Sequence, residues 1–393
     1  MLCFLIIGMV LSLPLTAQQT LSFTYNSVQT GAQQFNAYLP KLQNKRVGIL
    51  TNVTGMVGNS TLVDTLLKLK VNVVKIFGPE HGFRGNTEAG EKVNSQTDNK
   101  TGLPIISLYG SNKKPTPEQL KDLDILVYDI QDLGVRFYTY ISTMCLAMEA
   151  CAESNKEFMV LDRPNPNGFY IDGPVLQPAF KSFLGLHPVP VVYGMTCGEY
   201  AKMANSEGWL TNKIKCKLTV IPLKNYNRKA SYPLPVNPSP NIPNAKAVLL
   251  YPGLGLFEGT LMSLGRGTAL PFQVIGHPAF KDTGFSFLPK PTALSKEPKY
   301  VNQICYGLDL RECPYLSQHP GKLNLSILLE VYALMARDDF FDKNFNYHAG
   351  NKELQDQIKA GKTETDIRKS WEKDLNTFRK IRKKYLLYPD FSK

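Results

Sequence analysis

The chain has 393 residues, of which 43% are hydrophobic and 20% charged, and carries a formal net charge of +12. That length suggests two domains, and that composition excludes a disordered or fibrous protein. The positive charge favours acidic or polyanionic surroundings such as a cell wall or an anionic sugar, but the basic residues are spread out without an arginine-rich tract or basic–aromatic repeat, which argues against nucleic acid.

Met1 to Ala17 is apolar almost throughout and closes on a small residue, the pattern of a secretory signal peptide, and it is too short to span a bilayer. It lacks the Lys or Arg that ordinarily opens such a segment, and no cysteine follows it to carry a lipid anchor. The expectation is an exported protein, periplasmic or secreted, with no stable membrane insertion once the segment is removed. Beyond Cys3, the cysteines are Cys145, Cys151, Cys197, Cys216, Cys305 and Cys313. A core of this size needs no staples, so their pairing stays open, and none has the CxxC spacing of a zinc site.

In chain order, Lys45 to Asn52 reads as a first strand and Ser60 to Leu69 as a helix with Leu62, Leu66 and Leu69 at helical spacing. Val71 to Phe77 is a buried parallel strand, followed by Gly78-Pro79-Glu80-His81-Gly82-Phe83-Arg84-Gly85. Gly and Pro fix a backbone path rather than fill a core, so this is a shaped loop that presents a carboxylate, an imidazole and a guanidinium. Further strands are expected at Ile105 to Tyr109, Ile125 to Ile130 and Phe158 to Leu161, and a helix at Phe137 to Ser154. Thr116-Pro117-Glu118-Gln119 and Thr196-Cys197-Gly198-Glu199 are capping boxes that start helices, the second reaching about Glu207. Val189 to Tyr193 is a candidate strand. The proline-rich passage from Pro233 to Pro243 is the candidate boundary, dividing an N-terminal domain (18–236) from a smaller C-terminal one (237–393). After it come the apolar run Ala247 to Tyr251, the glycine-rich Gly253 to Thr260 with Glu258, and Gly265-Arg266-Gly267-Thr268. Leu323 to Ala336 and about Thr365 to Lys384 close the chain as helices.

Alternating apolar strands and amphipathic helices argue for an α/β fold with a doubly wound parallel sheet. Its polar signatures follow the strands: Asn52, Glu80 with His81, Asp129, and Asp162 with Arg163. Parallel strands place all their carboxyl ends along one edge, where ligands bind. Glu80 and Glu258, on shaped loops of the two halves, suit a cleft between domains. A carboxyl pair flanking a glycosidic bond is the common machinery of sugar hydrolysis. Asp129, Asp132 and Glu91 are alternative partners for Glu80. Arg84, Arg136, Arg163 and Arg266 flank the same signatures, and guanidinium groups bind carboxylates in bidentate fashion, which suits an anionic ligand. The chain lacks a GxGxxG after its first strand, a Walker sequence and a GxSxG elbow. No cofactor and no metal are expected.

The stretches GPEHGFRG with the downstream AGE, DIQDLGVRFYTY, LDRPNPNG, GLGLFEGT with GRGT and PF, and IRKSW with KYLLYP resemble the NamZ-type exo-β-N-acetylmuramidases. This is a glycoside hydrolase family formerly known as a domain of unknown function. The resemblance runs from about Lys45 to Pro389. It implies a Rossmann-like domain joined to a smaller α/β domain, with the active site in the interdomain cleft. It further implies release of N-acetylmuramic acid from non-reducing ends of peptidoglycan fragments, with muropeptides or disaccharides as substrates. On that analogy the essential glutamate falls on Glu80. Glu258 is inferred as the second carboxylate and His81 as the group that orients Glu80. Arg84, Asp129, Arg136, Arg163 and Arg266 would bind the sugar and its lactyl carboxylate, together with Glu91, Tyr138 and Asn165 from the same motifs. Rival readings are a non-catalytic glycan-binding protein and a peptidoglycan amidase or esterase.

Overall fold

The computed structural model describes residues 27–84, 96–229, 232–281, 283–314, 316 and 320–391. The expected signal peptide and Glu91 lie outside the described residues.

Helix α1 (Phe35–Leu42) leads into β1 (Val47–Thr51), every residue of which is buried. A two-residue ribbon, β2 (Met56–Val57) and β3 (Ser60–Thr61), then precedes α2 (Leu62–Lys68), whose amino end is capped by Thr61 accepting from the Asp64 amide. The first sheet continues with β4 (Val73–Gly78), β5 (Gln96–Thr97), β6 (Pro104–Ser107), β7 (Ile125–Asp129), β8 (Glu157–Leu161) and β9 (Lys217–Ile221). Its spatial order is β5-β6-β4-β1-β7-β8-β9, with β5 antiparallel on the edge and the other six parallel. Counted along the chain, the parallel strands stand third, second, first, fourth, fifth, sixth. This is a doubly wound order whose switch point lies between β1 and β7. The register pairs Leu50 with both Phe77 and Tyr128, and Thr51 with Asp129, so the carboxyl ends are level along one edge.

Successive side chains of a strand point to opposite faces. Ile125, Val127 and Met159 accordingly join one apolar cluster, while Leu126, Tyr128, Phe158 and Val160 join another across the sheet. This is why β1 and β7 read as unbroken apolar runs. Helix α3 (Pro117–Leu120) starts on its capping box, as does α5 (Cys197–Ser206). Between them α4 (Tyr140–Glu153) is buried along nearly its whole length. It starts three residues later than the sequence suggests, because 137–139 form a loop that serves the site described below. Val189 to Tyr193 forms no named strand; Val192 makes isolated bridges to Val135 and Asp172.

The second half opens with α6 (Ala245–Leu254), capped by Asn244 accepting from the Ala247 amide, so the apolar run there is helical. A 3₁₀ turn, Gly255–Gly259, follows directly. An antiparallel sheet in the order β10 (Val274–His277), β12 (Cys305–Asp309), β11 (Ser286–Phe287) comes next. Helices α7 (Ser326–Met335), α8 (Phe345–Ala349), α9 (Glu353–Lys359) and α10 (Glu364–Lys383) complete the fold. Tyr251, Phe257, Leu328, Trp371 and Phe378 all belong to the cluster that covers one face of the first sheet, so the two halves share one core. The tail also returns to the first half: the Tyr388 hydroxyl donates to Asp162 and accepts from the Leu223 amide at 2.8 Å. Cys145, Cys151, Cys197, Cys216, Cys305 and Cys313 are free thiols. Among the described residues no helix is long and apolar enough to cross a membrane, and no cluster of three His, Cys, Asp or Glu is arranged to hold a metal.

Candidate active site

Strand β4 ends at Gly78, and the next residues turn sharply. His81 and Gly82 both take left-handed backbone conformations, at φ 68° and 71°. A histidine held there stores strain of roughly 1–3 kcal/mol, which persists only where the surroundings over-determine it. The turn delivers Glu80 to a cavity of about 310 Å³. That volume lies at the lower edge of ordinary small-ligand pockets, roughly 300–1,000 Å³.

The opposite wall comes from the second half. The 3₁₀ turn Gly255–Gly259 presents Glu258, and Arg266 follows on the next loop; both line the cavity with Glu80. The turn lies so close to the first half that a Cβ on Gly255 would stand 2.2 Å from the Phe137 ring, so only glycine fits. Phe137, Tyr138, Thr139, Tyr140, Tyr251 and Phe272 also line the cavity. Tyr138 sits edge-on to Tyr140 and Tyr251, at 4.8 and 5.7 Å between ring centres, and donates its hydroxyl to the Pro238 carbonyl at 2.8 Å.

Electrostatics confirm the convergence. Burial pushes the Tyr251 phenol well above its ordinary pKa, and the charges of both Glu258 and Glu80 push it further, against Arg266. Arg266 donates from Nη2 to Glu258 Oε1 at 2.6 Å and lies over the Phe272 ring at 5.0 Å. On the other side of Glu258, His348 Nε2 stands 3.9 Å from Oε2, its ring held by a 3.1 Å bond between Nδ1 and the Asn344 carbonyl. Burial alone would raise the Glu258 pKa, but Arg266, His348 and Lys299 together hold it below the usual carboxylate range. Glu258 is therefore an anion at neutral pH. Glu80 accepts from the Thr139 hydroxyl at 3.2 Å, where Thr139 stands at the amino end of α4. Thr139 is thus one group that orients Glu80, and His81, expected to do so, lines the cavity beside it.

Glu80, His81, Tyr138, Glu258 and Arg266 meet in this cavity; Arg84, Asp129, Arg136, Arg163 and Asn165 are not among its lining residues. Arg84 is locked in a bidentate pair with Asp98, both bonds 2.8 Å. Asp129 and Arg163 satisfy each other through bonds of 2.6 and 2.9 Å, both buried at the sheet edge. Asn165 donates to the Met195 carbonyl and accepts from the Asn167 amide, bracing a loop. Arg136 is wholly buried and donates to four carbonyls, those of Pro174, Val189, His348 and Ala349, at 2.7 to 2.9 Å. The sequence points to each as substrate-binding because it lies in or beside the polar motifs; in the structure Asp129, Arg136, Arg163 and Asn165 bond to neighbours within the fold, and Arg84 pairs with Asp98. Asp132, the alternative carboxylate, is buried and bonded to Tyr193 and the Gly134 amide.

The sequence reading missed Thr139, Tyr140, Tyr251, Phe272 and His348. Thr139 and Tyr140 were within reach, being neighbours of Tyr138 in the same unusual motif. His348 sits on a five-residue helix with no apolar periodicity, so nothing marked it.

Comparison with known proteins bears on the same two halves. The model described as "Exo-beta-N-acetylmuramidase NamZ, N-terminal" matches residues 47–246, and that described as "Exo-beta-N-acetylmuramidase NamZ, C-terminal" matches 249–388. The chain is 43% identical over 384 residues to the peptidoglycan β-N-acetylmuramidase NamZ of Bacillus subtilis (strain 168), covering 92% of this chain and 91% of that protein. Crystal structures of two DUF1343 family proteins from Bacteroides fragilis NCTC 9343 are similar. One has a TM-score of 0.85 and 46% identity, covering 93% of this chain and 99% of its own. The other has a TM-score of 0.77 and 34% identity, covering 92% and 99%.

Proposed function

We infer the reaction from one premise: the chain belongs to the exo-β-N-acetylmuramidase NamZ family. It is a glycosidase, an exo-acting β-N-acetylmuramidase of peptidoglycan. The observation that carries the assignment of roles is that Glu80 and Glu258, from opposite halves, line one cavity together with Arg266.

Of two carboxyl groups beside a glycosidic bond, one gives a proton to the leaving oxygen and the other faces the positive charge that develops at the anomeric carbon. Glu258, held ionised by Arg266 and His348, takes the second part. Glu80, oriented by Thr139, takes the first. As the bond from the anomeric carbon to the glycosidic oxygen breaks, the Glu80 carboxyl proton passes to that oxygen. The resulting carboxylate then accepts a proton from the water that completes the sugar. Tyr138, Tyr251 and Phe272 give the cavity an aromatic lining for the sugar, and Arg266 has donors beyond the one given to Glu258 for the substrate's carboxylate. Substrates are peptidoglycan-derived disaccharides or muropeptides. The apolar opening segment and the basic chain support export to the periplasm or beyond, where the wall lies, and the strand order supports a Rossmann-like reading of the first sheet.

Glu80→Gln removes the proton donor without changing shape. Its turnover on a chromogenic β-N-acetylmuramic acid glycoside should fall by a factor of about 10²–10⁴ with the denaturation midpoint unchanged. Wild-type turnover in this variant would remove Glu80 from the mechanism.

A further inference from the structure

We propose that a small chamber behind the Glu258–Arg266 pair is the specificity pocket for the lactyl group of N-acetylmuramic acid, with Arg266 and Lys299 holding its carboxylate and Met262 and Leu264 packing its methyl. The inference rests on the muramidase reading above and deepens it. Glu258 and Arg266 line two cavities at once: the 310 Å³ cleft, and a second of about 80 Å³ whose remaining walls are Met262, Ser263, Leu264 and Lys299.

Size and chemistry both select the occupant. A volume of 80 Å³ equals roughly three waters at about 30 Å³ each, too small for a sugar ring and suited to a branch carried by one. The lactyl ether is such a branch, and it puts a methyl and a carboxylate on the same carbon. A wall for it must be apolar on one side and cationic on the other. Met262 and Leu264 are buried side chains that give the apolar part. Arg266 keeps guanidinium donors beyond its single bond to Glu258, and the Lys299 ammonium donates to the Thr260 carbonyl, leaving further protons of its three. The charges of Glu258 and Asp342 partly offset the two cations, so the pocket recognises a carboxylate by directed bonds rather than by excess charge. The acetamido group shared by N-acetylmuramic acid and N-acetylglucosamine is neutral and needs no such pair. Discrimination between the two sugars therefore falls to Lys299 and Arg266.

Two chromogenic β-glycosides separate the possibilities: N-acetylmuramic acid itself, and its lactyl carboxamide, which is isosteric with the carboxylate and carries no charge. With wild-type enzyme, kcat/KM should favour the acid by about ten- to hundredfold, the range for a hydrogen bond to a charged group. In Lys299→Met that ratio should fall at least tenfold, and Lys299→Arg should restore most of it. An equal loss on acid and carboxamide in Lys299→Met would overturn the pocket assignment while leaving the glycosidase reading standing. No hydrolysis of either glycoside by the wild type would overturn the glycosidase reading, and the pocket with it.

Discussion

Replacing Arg136 with methionine separates a structural arginine from a ligand-binding one. In the folded protein its Nη1 serves the Pro174 and Val189 carbonyls and its Nη2 those of His348 and Ala349, so a single guanidinium ties the loop below Glu80 to the helix that carries His348. Methionine fills similar space and donates nothing. Four buried acceptors lose their partners at about 1 kcal/mol each, a gross loss of about 4 kcal/mol. Part of this is returned, because the arginine itself is costly to bury. Burial pushes its pKa down to about 9, and its Nε has no partner among the described residues. A net loss of about 3 kcal/mol is expected, a large share of the roughly 5–15 kcal/mol that holds an ordinary domain together. Equilibrium urea denaturation followed by tryptophan fluorescence measures it, since Trp209 lies in the first half and Trp371 in the second. The midpoint should drop with little change in slope. A loss under about 1 kcal/mol, accompanied by a tenfold rise in KM, would refute the reasoning and return Arg136 to the ligand.

Two further outcomes concern pH. Glu258 is held below the usual carboxylate range chiefly by Arg266 acting against burial, so it stays ionised as pH falls through that range. In Arg266→Met the largest lowering influence is lost, and the acid limb of kcat/KM should move to higher pH; an unmoved limb would show that Glu258 does not set it. His187, stacked on Trp209 and bonded to the Tyr200 hydroxyl, is pushed down to about 4 by burial and by the charge of Lys181. The unfolded chain takes up a proton near pH 6.5 that the folded protein refuses until about 4. The associated stability is therefore complete above 6.5 and is lost as pH falls, by about 3 kcal/mol in all. His187→Gln should lack this slope, and parallel stability curves for the two proteins between pH 7 and 4 would rule it out.

What could be read from the chain follows from how local each signal is. The apolar runs at 47–51 and 125–129 marked buried parallel strands because both faces of those strands are covered, and Thr116 and Thr196 marked helix starts because a cap lies within four residues. Glu80 and Glu258 were legible as a pair because glycine surrounds each, which leaves a lone carboxylate little to do but face outward. Strand β9 was not legible, since it opens on an exposed lysine and sits at the edge of the sheet. The same blindness misplaced Asp129, Arg136 and Arg163. A polar residue after a strand looks the same in sequence whether it meets solvent or a partner 34 residues further on, as Asp129 meets Arg163.

A ribosome makes this protein from the amino end, and domains ordinarily fold as units while they emerge. The first sheet is complete in sequence at Ile221, yet Asp162 at the end of β8 takes one of its buried donors from Tyr388, far downstream. A nascent chain that has emerged through β9 but not yet through Tyr388 therefore holds a finished sheet with a carboxylate awaiting its hydroxyl. Truncation ahead of Tyr388 would therefore yield a protein whose damage appears in the first half, far from the cut.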